Sequence, residues 1–137
     1  MSKPLRRIAA VVCAALLASL VAGPVAAADY KAGRYAGTTS QGESISFKAK
    51  RLGVKKFDYT VIINCADGSQ QAIDGSGGSA PVSDAGKFSA LFVGQGITSE
   101  VRGKLKRKQA EGKIDTVGTA PSGAPCSSVV DWSAKSQ

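Results

Sequence analysis

The sequence predicts an antiparallel all-β domain of seven or eight strands, an up-and-down meander forming a small barrel or a two-layer sandwich. Three observations carry this. No window holds a sustained helical period, apolar and polar residues alternate in short runs, and the sixteen glycines fall mainly between those runs. Short connections favour pairing of strands in chain order, hence the meander.

Residues 1–28 join a basic head (Lys3, Arg6, Arg7) to an apolar run from Ile8 to Val25 and end in Ala26-Ala27-Ala28. That pattern predicts a Sec-type signal peptide cut after Ala28. The protein is then exported, secreted or kept in the periplasm or cell envelope, with no transmembrane anchor after cleavage. Gly23-Pro24 breaks the apolar run and argues against an uncleaved anchor. Leu5 and Ile8-Ala9 around the arginine pair are unlike a twin-arginine signal. Cys13 follows bulky Val12 rather than the small residue expected before a lipid-modified cysteine.

Residues 29–137 then form one domain, with fifteen basic and ten acidic side chains, a net charge of +5 that favours anionic partners. Two cysteines remain, Cys65 and Cys126. In an oxidising compartment a single disulfide is the default expectation. A metal pair and a redox pair are the alternatives, weakened by the absence of histidine and of C-x-x-C spacing. Closing a loop of about sixty residues contributes roughly 4 kcal/mol by the chain-entropy argument.

The strands follow in order. Tyr30 to Thr39 places Tyr35 between Gly33 and Gly37 on one face, which suits a curved strand. Ser40-Gln41-Gly42 turns the chain, and Ser44 to Lys50 alternates with Ile45, Phe47 and Ala49 inward. Arg51-Leu52-Gly53 leads into the clearest strand, where Phe57, Tyr59, Val61, Ile63 and Cys65 share a face before the Asp67-Gly68 turn. A short strand through Gln71 and Ile73 runs into Asp74 to Pro81, which reads as a flexible loop. Lys87 to Val93 and Ile97 to Lys106 are further strands, joined by Gly94-Gln95-Gly96. Arg107 to Gly112 reads as a polar hairpin tip and Lys113 to Thr119 as a weaker strand. After the Pro121 to Pro125 loop, Cys126 opens the last strand, with Ser128, Val130, Trp132 and Ala134 on its face. Trp132 is expected in the core rather than at a ligand.

In a meander, alternate turns lie at the same end. The turns after strands three and seven bring Cys65 and Cys126 to one end. Those after strands two and six gather Lys48, Lys50, Arg51, Lys55 and Lys56 with Lys104, Lys106, Arg107, Lys108 and Lys113 at the other. Lys50, Arg51, Lys55, Lys104, Lys106, Arg107 and Lys108 are therefore the candidate anion-binding residues.

The order Gly33-x-Tyr35-x-Gly37 with Thr38 and Thr39, Gln41-Gly42, Ile45-x-Phe47, Cys65-x-Asp67-Gly68, Gly86-x-Phe88-Ser89, Val101-x-Gly103-x-Leu105, and Cys126 followed by Trp132-Ser133-Ala134 resembles a family of small bacterial secreted β-domain proteins. The resemblance spans nearly all of residues 29–137. It implies an exported compact β domain with those two cysteines paired, and it lends no catalytic residue and no ligand.

An enzyme is not expected. Without histidine the commonest general base and metal ligand is missing, and no cofactor or metal site is indicated. Ser76 in Asp-Gly-Ser-Gly lacks the strand-to-helix elbow of a hydrolase serine. Asp67 and Asp74 precede glycines, as turn residues do, and lack both calcium-loop spacing and any sign of acting as a carboxylate pair. A binding module with a basic pole for an anionic cell-envelope polymer is the leading expectation. A structural or protein-interaction module is the alternative, since lysines on strands and hairpin tips also keep sheets soluble. A barrel that binds a small ligand is the second. Nucleic acid is disfavoured, because the basic segments lack interleaved aromatics and the chain leaves the cytoplasm.

Overall fold

The computed structural model describes residues 29–137, so the expected signal segment at 1–28 lies outside the described residues. Eight strands follow one another: β1 (Gly33–Thr39), β2 (Ser44–Lys50), β3 (Gly53–Cys65), β4 (Gln70–Pro81), β5 (Lys87–Gly94), β6 (Ile97–Lys106), β7 (Gln109–Thr119) and β8 (Pro125–Ser136). They form one antiparallel sheet in the order β4-β3-β2-β1-β8-β7-β6-β5. Each strand pairs with its chain neighbour except β4 with β5, and the first strand pairs with the last. The meander is thereby closed into a barrel rather than split into two layers. At the β4–β5 seam, side-chain packing replaces the ladder, with the Phe92 ring set against Gly78.

Alternation decides which side chains fill the barrel. Along β3, Val54, Phe57, Tyr59, Val61, Ile63 and Cys65 are buried. The step of three between Val54 and Phe57 reflects a bulge: the β2–β3 register shifts between Ser46 and Lys48, and Lys56 lies in the left-handed region at φ 55°. Tyr35, Phe47, Phe57, Tyr59, Phe88, Phe92 and Trp132 form a continuous chain of ring contacts inside, with centroids 5.2 to 6.2 Å apart. Trp132 is in the core, and its indole Nε1–H donates to the Arg102 carbonyl at 3.2 Å. The buried Ser99 and Thr116 hydroxyls bond each other at 2.9 Å. Among the described residues no buried side-chain polar atom lacks a partner.

Two glycines sit where neighbouring backbone comes closest. A β-carbon at Gly37 would collide with the Ser133 carbonyl, and one at Gly112 with the Arg102 carbonyl. Gly37 is thus pressed against β8 and Gly112 against β6, close approaches that only glycine admits.

One end of the barrel is closed by the longer strands. β1 and β2 are seven residues each, while β3 and β8 run past the β1–β2 turn and pair with each other at Asn64↔Ser127 and Cys65↔Cys126. The Cys65–Cys126 disulfide joins them there, as expected, and leaves no pair of free thiols to hold a metal. Gln41, in the β1–β2 turn, fills the ladder that β2 vacates: its side-chain amide accepts from Ile62 N and donates to Ile62 O, both at 2.8 Å. The Asp67 carboxylate takes hydroxyl hydrogen bonds from Ser69 and from Ser122 and so ties the β3–β4 turn to the β7–β8 loop.

The other end is crossed by the strap Asp29–Lys31. Lys31 N donates to Arg107 O and Arg107 N to Asp29 O, both at 2.7 Å. The Tyr30 hydroxyl reaches the carbonyls of Lys50 and Arg51, at 2.6 and 2.7 Å.

Two expected loops are strands. Asp74–Pro81 is the second half of β4 and pairs with β3 from Gly53 to Thr60. Its glycines serve neighbouring aromatics: the Tyr59 ring occupies the space over Gly75 and the Phe92 ring that over Gly78. β7 begins at Gln109 rather than Lys113, because Ala110 is buried and the tip is only Arg107-Lys108.

Candidate anion-binding groove

Outward side chains on a barrel wall fall into rows across the strands, two residues or about 7 Å apart along each strand. On β6, Arg102, Lys104 and Lys106 face outward because Val101, Leu105 and the Gly103 position face in. Register extends each of them into a row. Arg102 continues through Lys113 to Asp131, Lys104 through Glu111 and Ser133 to Thr38, and Lys106 through Gln109 and Lys135 to Ala36.

The residues between the rows face into the barrel, so the outer wall is grooved there. Between the Lys104 and Lys106 rows lies a groove of about 1040 Å³, floored by Gly37, Ala110 and Ala134. Lys104, Lys106, Arg107, Lys108 and Lys135 line it, with Glu111 its one carboxylate. A second groove, about 960 Å³, lies between the Arg102 and Lys104 rows over Gly103 and Gly112. Its walls mix Arg102, Lys104 and Lys113 with Glu111 and Asp131, and Lys113 is paired to Asp131 at 2.7 Å.

Of the candidate anion-binding residues, Lys104, Lys106, Arg107 and Lys108 thus come together in one groove. Lys50, Arg51 and Lys55 do not line it and sit across the Tyr30 strap on the β2–β3 hairpin. There Lys55 pairs directly with Lys48. A hydrogen bond and charge repulsion from Lys50, reinforced by Lys56 and Lys48, lower the Lys55 ammonium to about 8. Lys135 was not among the candidates, although it was legible. Trp132 and Ala134 face in, so Lys135 faces out, and an eight-strand meander returns its end to the Arg107 end.

The opposite end contrasts in charge. The turns joining β1–β2, β3–β4, β5–β6 and β7–β8 contain Glu43 and Asp67 and no Lys or Arg. Asp67 and Asp74 are engaged structurally, Asp67 by the two serine hydroxyls and Asp74 by the Thr60 hydroxyl at 2.6 Å. The Ser122 and Ser69 hydroxyls hold the Asp67 carboxyl down at about 2.

The arrangement offers point charges on either side of a strip of backbone. Chemically it suits electrostatic holding of a flexible anion. Comparison with known proteins gives no matching family model, no matching curated protein and no matching solved structure.

Proposed function

We propose that the chain is an exported, non-catalytic binding module whose basic end holds an anionic polymer of the cell envelope. The resemblance to small bacterial secreted β-domain proteins is part of the same reading. The observation that carries it is the convergence of five cations from two separate segments, Lys104 to Lys108 and Lys135, on one groove with a single carboxylate. Solubility alone calls for scattered lysines, whereas these surround a floor free of bulky side chains. Lys50, Arg51 and Lys55 extend the positive surface beyond the strap and give a long polymer a second place to rest.

The test is retention of oxidised residues 29–137 on isolated envelope fractions across a salt series. Retention should be strong at low salt, fall steeply as salt screens the charges, and vanish in the K104E/K106E/K108E triple variant. Retention that ignores salt and the triple variant would overturn the reading in favour of a protein-interaction module. No retention at any salt would leave the lysines as solubility devices.

A further inference from the structure

The β2–β3 hairpin carries a feature that the groove does not use. Among the described residues, the exposed large apolar side chains Leu91, Val93, Val117 and Val129 lie along the β5–β8 wall, whereas Leu52 stands at the basic end, 74% exposed at the hairpin tip. An apolar residue there gains nothing from the fold, since turns favour Gly, Asn and Asp for conformational reasons. The tip is nevertheless held from both sides. The Tyr30 hydroxyl reaches the Lys50 and Arg51 carbonyls, and Val82 N donates to the Leu52 carbonyl at 3.1 Å.

Cations surround this tip. Arg34, Lys48 and Lys55 form one outward row across β1, β2 and β3, Lys50 lies two residues or about 7 Å beyond Lys48 toward the tip, and Arg51 adjoins Leu52 itself. Lys56 stands out at the bulge. The ion pairs among the described residues are Arg102–Glu100 and Lys113–Asp131, so no carboxylate neutralises any of these six. The acidic side chains of this end, Asp29 on the strap and Asp84 in the β4–β5 connection, are fewer and belong to other segments. Repulsion within the group is what holds the Lys55 ammonium down at about 8.

We infer that the β2–β3 hairpin docks the barrel on an anionic lipid bilayer, with Leu52 entering the boundary between headgroups and acyl chains and the surrounding lysines and arginines lying on the lipid phosphates. A soluble polyanion would use the charges and leave Leu52 in water, whereas a bilayer takes up both. Each cation brought to such a surface strengthens binding by about fivefold, and the apolar tip adds an attraction that salt does not screen. The hairpin lies across the Tyr30 strap from the groove, so its docking does not depend on what the groove holds.

The test is sedimentation of oxidised residues 29–137 with vesicles of phosphatidylcholine alone, and of phosphatidylglycerol and phosphatidylcholine in equal parts, at about 0.1 M salt. Binding should require phosphatidylglycerol. Leu52→Ser leaves every charge in place and should weaken binding by about five- to tenfold, while binding of a glycerol-phosphate polymer stays unchanged. Leu91→Ser, which removes a similarly exposed side chain from the β5–β8 wall, should alter neither. Lys50→Glu combined with Lys55→Glu should weaken vesicle binding by about a hundredfold or more. Leu52→Trp should move to bluer emission when the mixed vesicles are added, against the constant signal of buried Trp132. Thermal melts would show that the variants fold. A wild-type chain that ignores the phosphatidylglycerol vesicles would overturn the proposal. So would a Leu52→Ser variant that binds them like the wild type, a Leu91→Ser change as costly as Leu52→Ser, or Leu52→Trp emission that the vesicles leave unmoved.

Discussion

At the scale of single residues, two kinds of position carry the barrel: side chains whose polar atoms are fully engaged, and glycines where backbone comes too close for anything else. Gly112→Ala should cost roughly 2–4 kcal/mol, read as a fall in the urea midpoint, because a methyl there meets the Arg102 carbonyl rather than open space. Gly42→Ala, with nothing within reach of its β-carbon, should lose far less, limited to the strain of its φ of 79°. Asp67 is the clearest pH-sensitive residue. Its carboxyl is held at about 2, below the ordinary value of 3.8, by the Ser122 and Ser69 hydroxyls. The stability this adds is present above pH 3.8 and is lost as pH falls through about 2. Thermal melts between pH 5 and pH 2 should therefore show a smaller acid-induced fall in Asp67→Asn than in the wild type. Lys55 has the opposite sense. Its ammonium is depressed to about 8 by Lys50, Lys56 and Lys48, so this cluster opposes folding below that pH and is relieved as pH rises from about 8 toward 10.5. Substituting Lys50→Met should return Lys55 toward its ordinary range, which side-chain amine titration by NMR would report.

Among the elements, β3 and β8 do most to hold the two halves of the meander together, since they overrun the short β1–β2 hairpin and meet at the disulfide. Removing it with Cys65→Ala and Cys126→Ala should lower stability by about 4 kcal/mol. Hydrogen exchange should rise first around Asn64, Ala66 and Ser127 and leave the Arg107 end protected. Gln41→Ala should cost about 1–2 kcal/mol, because it strips two hydrogen bonds from Ile62 at the point where β2 has ended. Much at this scale was legible. The alternation from Phe57 to Cys65 and from Ser44 to Lys50 identified both strands and their buried faces. The placement of Cys65 after strand three and Cys126 after strand seven put both at one end. Asp74–Pro81 misled because glycine beside serine reads as a loop, whereas Gly75 and Gly78 are required by the rings of Tyr59 and Phe92, long-range partners that local composition does not encode. The Gln41 side chain standing in for a strand is invisible for the same reason.

For the whole molecule, topology turns a modest net charge into an uneven one. Seven short connections alternate between the two ends, which sends the β2–β3 and β6–β7 turns with their Lys and Arg residues to one end and the turns with Glu43 and Asp67 to the other. This much followed from counting strands. What did not follow was the groove itself, because its floor depends on Gly37, Ala110 and Ala134 falling beside one another through the β1–β8 and β7–β8 registers. Pairing of the first and last strands was also needed to bring in Ala36, Gly37 and Thr38. The most direct test is an amide chemical-shift titration of oxidised residues 29–137 with a defined glycerol-phosphate polymer, at low and at high salt. The account predicts shifts at Ala36 to Thr38, Lys104 to Glu111 and Ser133 to Lys135, weaker ones at Lys50 to Lys55, and loss of all of them at high salt. Shifts centred on the disulfide end, or none at low salt, would contradict it.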